Sequence, residues 1–283
     1  MAFKPRHAEQ LRAVPPVDLS AIAPTSTPGF VGSPRGKRLR RRLHKFDAEL
    51  QTLQEQLFAH SRSGTPETAS VLLILQGMDT SGKGGMIRNA LSVFDPQGLR
   101  PVSFGAPTAE EREHDFLWRI KKHVPKPGEI VVFDRSHYED VLIQRVEEMA
   151  TPAEIERRYE AIVDFESQLA ARGVSIIKVM LHISPEFQRE NLLRRLRRDD
   201  KRWKFDPSDI ANREKWEDYQ RAYEIAIDRT HTEEAPWYII PGDNKLYART
   251  AVKYLVLRRL RAMNLEWPTP SYDVDEAYSR LRR

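Results

Sequence analysis

The chain has 283 residues, 40% hydrophobic and 31% charged, with a formal net charge of +5. That is enough for one sizeable α/β domain with a lid or arm, or for two small domains. The absence of cysteine excludes disulfides, thiolate metal sites and cysteine nucleophiles. No apolar run has membrane-spanning length, and the opening MAFKPRHAEQ lacks a secretory apolar stretch, so a cytoplasmic protein without membrane contact is expected.

Residues 1–35 hold Pro5, Pro15, Pro16, Pro24, Pro28 and Pro34 and show no sustained periodicity. They read as an extended or disordered arm ahead of a domain spanning 36–283. From Lys37 to Phe58, Leu39, Leu43, Phe46, Leu50, Leu53 and Leu57 recur at helical spacing, which predicts one amphipathic helix. Ser61–Ser70 reads as a loop.

Five short apolar runs follow, rich in β-branched or aromatic residues: Val71–Leu75, Pro101–Phe104, Ile130–Phe133, Val174–Ile183 and Trp237–Ile240. Helical stretches separate them. Thr108 with Glu111 forms a capping box, and Thr151-Pro152 sets proline at a first helical position before Gly173 closes that helix. Strands alternating with helices predict a three-layer α/β fold with a mainly parallel sheet of about five strands.

The segment from Ile183 to Trp237 is longer than one crossover requires. Ser184-Pro185 and Asp206-Pro207 each start a helix, so residues 184–232 are expected to form a helical-hairpin lid. A terminal helix is expected over Leu246–Met263.

Gly77-Met78-Asp79-Thr80-Ser81-Gly82-Lys83-Gly84-Gly85 follows the first strand directly and matches the G-x-x-x-x-G-K spacing of a P-loop, or Walker A motif. Gly77, Gly82, Gly84 and Gly85 let backbone N–H groups curl around phosphate oxygens. Lys83 and the following helix N-terminus add positive charge. Two positions depart from the common pattern. Gly84 stands where such loops carry the magnesium-ligating Ser or Thr. Asp79 sets a carboxylate beside phosphates, an arrangement that calls for a divalent cation between them, the alternative being an Asp that caps its own turn.

The strand Ile130–Phe133 runs into Asp134, the type of position that holds a metal in P-loop enzymes, and Arg135 follows at the ligand-binding ends of the strands. Two basic clusters stand out. Seven Lys/Arg and no acid lie between Arg35 and Lys45, and eight against three acids lie between Arg189 and Lys204. They suggest a polyanionic ligand, the alternative being two solvated helix faces. Arg194, Arg195, Arg198, Lys201 and Lys204 cannot share one helical face, which favours wrapping a long polyanion. Trp203 and Trp216 read as packing anchors of the lid. His123, His137 and His182 form no hydrolase constellation, and a phosphate acceptor needs no general base.

In this order the motifs resemble the family-2 polyphosphate kinases, from about Lys37 to the terminal helix. The family pattern G-x-D-x-x-G-K-G-G is met at Gly77–Gly85, D-R-S-x-Y at Asp134, Arg135, Ser136 and Tyr138, and W-K-F/L at Trp203-Lys204-Phe205. Trp216-Glu217-Asp218-Tyr219 and Ala235-Pro236-Trp237-Tyr238 also look like the family.

The resemblance implies reversible, Mg²⁺-dependent phosphoryl transfer between inorganic polyphosphate and AMP, ADP or ATP, with GDP and GTP as further candidates. Asp79 and Asp134 would hold Mg²⁺ and orient the phosphoryl, Lys83 and Arg135 would neutralise it, and Arg195 would close over the phosphates. Arg194, Arg198, Lys201 and Lys204 would line the polyphosphate channel. Asn191 stands where the family more often has a basic residue. Ser136–Leu142 resembles the subgroup that accepts both AMP and ADP, whose members often carry Asn in place of Asp134. A homo-oligomer, dimer or tetramer, is expected, and nucleic acid is not. The competing readings are an ATP-dependent nucleoside monophosphate kinase and a non-catalytic basic polyanion-binding protein.

Overall fold

The computed structural model describes residues 3–31, 36–64 and 69–282. Pro34 and Arg35, and positions 65–68 of the expected loop, lie outside the described residues.

The chain opens on a single turn, α1 (Pro5–Ala8), and continues through α2 (Lys37–His44) and α3 (Asp47–Arg62). The predicted single helix over Lys37–Phe58 is thus broken. Phe46 leaves helical geometry at φ −117°, ψ 23°, and its ring packs edge-on against Tyr254.

The predicted strands appear as β1 (Ser70–Gln76), β2 (Leu99–Ser103), β3 (Ile130–Asp134), β4 (Val174–His182) and β5 (Trp237–Pro241). Between β1 and β3 lie α4 (Lys83–Ala90), α5 (Ala109–Arg112) and α6 (Trp118–Lys121). Then come α7 (Glu139–Val146) and α8 (Pro152–Ala171) before β4, and α9 (Pro185–Arg197), α10 (Asp199–Arg202), α11 (Ser208–Glu214) and α12 (Trp216–Thr230) before β5. The chain ends with α13 (Lys245–Ala262) and α14 (Val274–Leu281), the latter not anticipated from sequence.

All ladders are parallel, in the order β2-β3-β1-β4-β5. Every residue of β1 is buried, as expected of a central strand covered on both faces. One apolar layer joins the sheet to α4, α13 and the leucines of α2 and α3, and the other joins it to α7, α8 and α12. The connection leaving β1 runs toward β2 on one side, while that leaving β3 runs toward β4 on the other. The crevice above the carboxyl ends of β1 and β3 is therefore the topological switch point, where ligands of open α/β sheets bind.

Of the arm, expected to be extended or disordered, the described residues 3–31 strap the sheet edge and the helical layer. Ala13 N–H donates to the Trp237 carbonyl at 2.8 Å, and Arg12 bridges Tyr238 antiparallel to β5. Phe3 is fully buried, 5.3 Å from the rings of both Tyr247 and Tyr254. These anchors escape a periodicity search because they are irregularly spaced, each bonding a different element. The segment 184–232, expected as a helical-hairpin lid, is not uniformly peripheral. Tyr219, Ala222, Tyr223, Ala226 and Ile227 of α12 are buried in the core, so α12 belongs to the body. Of the two tryptophans read as anchors, Trp216 packs against the core, but Trp203 is 76% exposed.

Candidate active site

β1 delivers the chain into the loop Gly77–Gly82, which turns through left-handed backbone at Gly77 (φ 143°), Thr80 (φ 62°) and Gly82 (φ 108°). Glycine tolerates such geometry and L side chains resist it. The loop is closed by Ser81 N–H donating to the Met78 carbonyl at 3.1 Å, and Tyr223 of α12 accepts from Gly77 N–H at 3.1 Å. Lys83, the first residue of α4, is buried and reaches back to the Gly77 carbonyl at 2.6 Å. Burial, then Arg135, lowers its pKa, against Asp134, Asp79 and Glu139, which raise it.

Asp79 lies inside this loop. Arg135 Nη2 donates to its Oδ1 at 2.8 Å and Asn212 Nδ2 to its Oδ2 at 3.0 Å. Burial would raise the carboxyl, but Lys83, Arg135 and these hydrogen bonds outweigh it, so Asp79 is held ionised below its ordinary pKa. Arg135 adopts φ 66°, an uncommon backbone for a non-glycine residue, and its N–H still donates to the Leu75 carbonyl at 3.1 Å. That twist aims its guanidinium across the switch point at Asp79.

Asp134 ends β3 beside α4. A Cβ added at Gly84 would lie 3.6 Å from Asp134 Oδ2. The missing side chain at Gly84 thus leaves open space against a carboxylate at the helix N-terminus. No group of three or more His, Asp or Glu side chains capable of caging a metal occurs among the described residues. Two carboxylates suit magnesium without such a cage, because Mg²⁺ keeps several waters and takes substrate phosphates as ligands.

On one side of the loop lies a cleft of about 290 Å³ bordered by Asp79, Arg135, Phe104, Asn212 and Tyr219. Glu139 at its floor is partly buried, and burial raises its pKa. With the Gln76 amide turned so that its oxygen accepts from Ser136, its nitrogen donates to Glu139 at 3.0 Å.

On the other side lies a basic cluster. Lys204 feels Arg88, Lys201 and Arg195 as like charges and Asp134 as an opposite one. Lys245 is lowered to about 8 by burial and then by Arg194 and Arg249. Arg249 is lowered by burial and then by Arg88, and its guanidinium lies 3.5 Å from a Cβ built on Gly85. Lys245 donates to Asn191 Oδ1 at 2.9 Å, and Arg194 bonds the same oxygen. Where a basic side chain was expected at Asn191, two cations from other positions converge on its amide.

Of the lid residues named from sequence, Arg194 and Lys204 join this cluster. Arg195, whose charge Lys204 also feels, donates to the Lys204 carbonyl at 3.1 Å and to Asp209 at 3.3 Å, fastening the turn between α10 and α11. Arg198 is exposed and pairs with Asp200 at 2.9 Å, which Lys201 also meets at 3.2 Å.

The sequence reading missed Arg88, Asn212, Tyr223, Lys245 and Arg249. One signal was present for the last pair. Lys245 and Arg249 are like charges four residues apart in the first two turns of a helix, unfavourable with each other and with the helix dipole. Such an arrangement makes sense beside an anion.

The parallel sheet and the strand–loop–helix turn with its lysine define a P-loop α/β protein. Residues 39–268 match the family model described as polyphosphate kinase 2. The chain belongs to this family. It is 40% identical to the AMP/ADP-polyphosphate phosphotransferase of Meiothermus ruber over 89% of this chain and 92% of that protein. It is 38% identical to the ADP-polyphosphate phosphotransferase of Rhodopseudomonas palustris over 77% and 78% respectively. The crystal structure of polyphosphate kinase 2 from Arthrobacter aurescens TC1 matches with a TM-score of 0.93 at 46% identity, covering 99% of this chain and 97% of that one.

Proposed function

We propose that the chain transfers the terminal phosphoryl group between inorganic polyphosphate and a nucleoside mono- or diphosphate, reversibly and with Mg²⁺. The observation that carries this reading is the layout of the loop, with a nucleotide-sized cleft on one side and a basic cluster on the other, Lys83 between Asp79 and Asp134. The Meiothermus ruber relative, named for both acceptors, supports AMP and ADP as substrates here.

In this mechanism the loop N–H groups and Lys83 hold the transferring phosphoryl, and Arg135 meets it from the cleft. Asp79 and Asp134 would hold Mg²⁺. Such an ion would supply neutralisation of phosphate charge during transfer. Because the acceptor is already an anionic phosphate, no side chain has to remove a proton. Arg88, Arg194, Lys204, Lys245 and Arg249 hold the polyphosphate beyond the loop. Arg195 sets the lid tip that closes over it and keeps water out.

The test offers long-chain polyphosphate with AMP or ADP and Mg²⁺ and resolves the nucleotides by chromatography. ADP from AMP and ATP from ADP are expected, with loss of both on chelation. Lys83→Ala and Asp79→Ala should each lower turnover by about 10²–10³, the loss typical of removing one charge-stabilising group, with circular dichroism unchanged. Full turnover in either folded variant overturns the assigned roles.

A further inference from the structure

We propose that the basic helix α2 is an outer track for long-chain polyphosphate, attached to the helix that carries cations of the site but apart from the reacting centre. It rests on the polyphosphate reading above. Leu39 and Leu43 are buried, while Lys37, Arg38, Arg40 and Arg41 are exposed. Among the described residues, none of these four nor Arg42 or Lys45 is in an ion pair with an acid. The next acids along the chain are engaged elsewhere: Asp47 with His44 at 2.9 Å and with Lys253, and Glu49 with Arg261 at 2.6 Å. A rigid row of uncompensated like charges repels itself, and a polyanion laid along it relieves that repulsion.

Its position links the row to the site. α2 and α4 both pack on α13. Tyr254 of α13 donates to the Arg42 carbonyl at 3.0 Å. Arg249, which shares the site cluster with Arg88, precedes Tyr254 by five residues, a rise of about 7.5 Å along the helix. One helix thus carries site cations on its first turns and the α2 attachment on the next.

The exposed face of α2 also selects among polyanions. It exposes no Phe, Tyr or Trp on which a base could stack; its one imidazole, His44, is held by Asp47 at 2.9 Å, and the neighbouring Phe46 is packed against Tyr254 under Lys45 and Arg261. Nor does it expose an apolar side chain for a lipid surface. A linear phosphate chain without bases fits what is left.

The test is the triple variant R38Q/R40Q/R41Q, which leaves Leu39 and Leu43 in place. With polyphosphate of about a hundred phosphates its KM should rise about tenfold, and the slope of log affinity against log salt should become shallower by about 2. The kcat, the nucleotide KM and the KM for chains of about six phosphates should stay as in the wild type. An unchanged long-chain KM, or an equal rise for short chains, overturns the track. Anisotropy of end-labelled long-chain polyphosphate decides the same question without turnover, so a failure of the catalytic reading remains distinguishable. A single-stranded oligonucleotide of equal charge that displaces the labelled chain equally well would overturn it in favour of nucleic acid.

Discussion

At Gly77 the backbone φ is 143°, and a Cβ would lie 2.7 Å from the Leu181 carbonyl oxygen of β4. Neither constraint can relax, since one is the loop's own turn and the other a central strand. Gly77→Ala should cost about 1–3 kcal/mol of stability, the range for a forced backbone outlier, and misplace the N–H that Tyr223 holds. Urea unfolding beside a turnover assay measures both, and a fully active, fully stable variant would contradict the loop geometry. Lys245 gives a prediction in pH. Its pKa is lowered to about 8 by burial, Arg194 and Arg249, so it loses its charge as pH rises through that value. The KM for polyphosphate should climb above about pH 8 in the wild type and stay flatter in Lys245→Met. The stability sign is opposite. Between about 8 and the ordinary 10.5 the unfolded chain binds the extra proton, so this group's contribution to folding improves with rising pH. The proposed roles of Lys83 and Asp79 could be read from sequence because one short loop carries both, and those of Asp134 and Arg135 because they end an apolar strand. Those of Arg88, Asn212 and Arg249 could not, because nothing local says which helix faces the loop.

Below the site, β4 and α8 are joined by a charged pair with no access to water. The Lys178 ammonium spends its three protons on Glu166 at 2.5 Å, Thr230 carbonyl at 2.7 Å and Tyr138 hydroxyl at 3.0 Å. Burial would raise the Glu166 carboxyl, but Lys178 and His137 outweigh it and hold it ionised. Removing one partner strands the other charge. Lys178→Met should cost about 3–5 kcal/mol, and Lys178→Met with Glu166→Leu should regain much of it, both read from denaturant midpoints. Because Tyr138 follows Arg135 by three residues, this pair also anchors the turn that aims Arg135. The five strands were readable as elements because buried parallel strands are short, apolar and bounded by turns. The break at Phe46, the strap and α14 were not. Each depends on a contact or a continuation that leaves no period in the sequence.

Across the whole molecule, the proposed lid comprises α9, α10 and α11, with α12 fixed in the core. Arg195 ties its tip together, so Arg195→Ala should loosen closure rather than remove a phosphate contact. Free phosphate released per nucleotide formed should rise about tenfold as water enters, measured by assaying both products in one reaction. An unchanged ratio with a raised polyphosphate KM would make Arg195 a direct ligand instead. No helix among the described residues is long and apolar enough to cross a membrane. The sequence by itself determined the alternation of strands and helices, the phosphate-holding loop and the excess of lid cations, since these follow from local periodicity and from residue types at fixed spacing. The tertiary structure alone decided that Asp79 faces Arg135 and Asn212, that Lys245 and Arg249 complete the basic cluster and that the arm straps the sheet. Those pairings join residues far apart in the chain, and only the packing of helices onto the sheet brings them within reach.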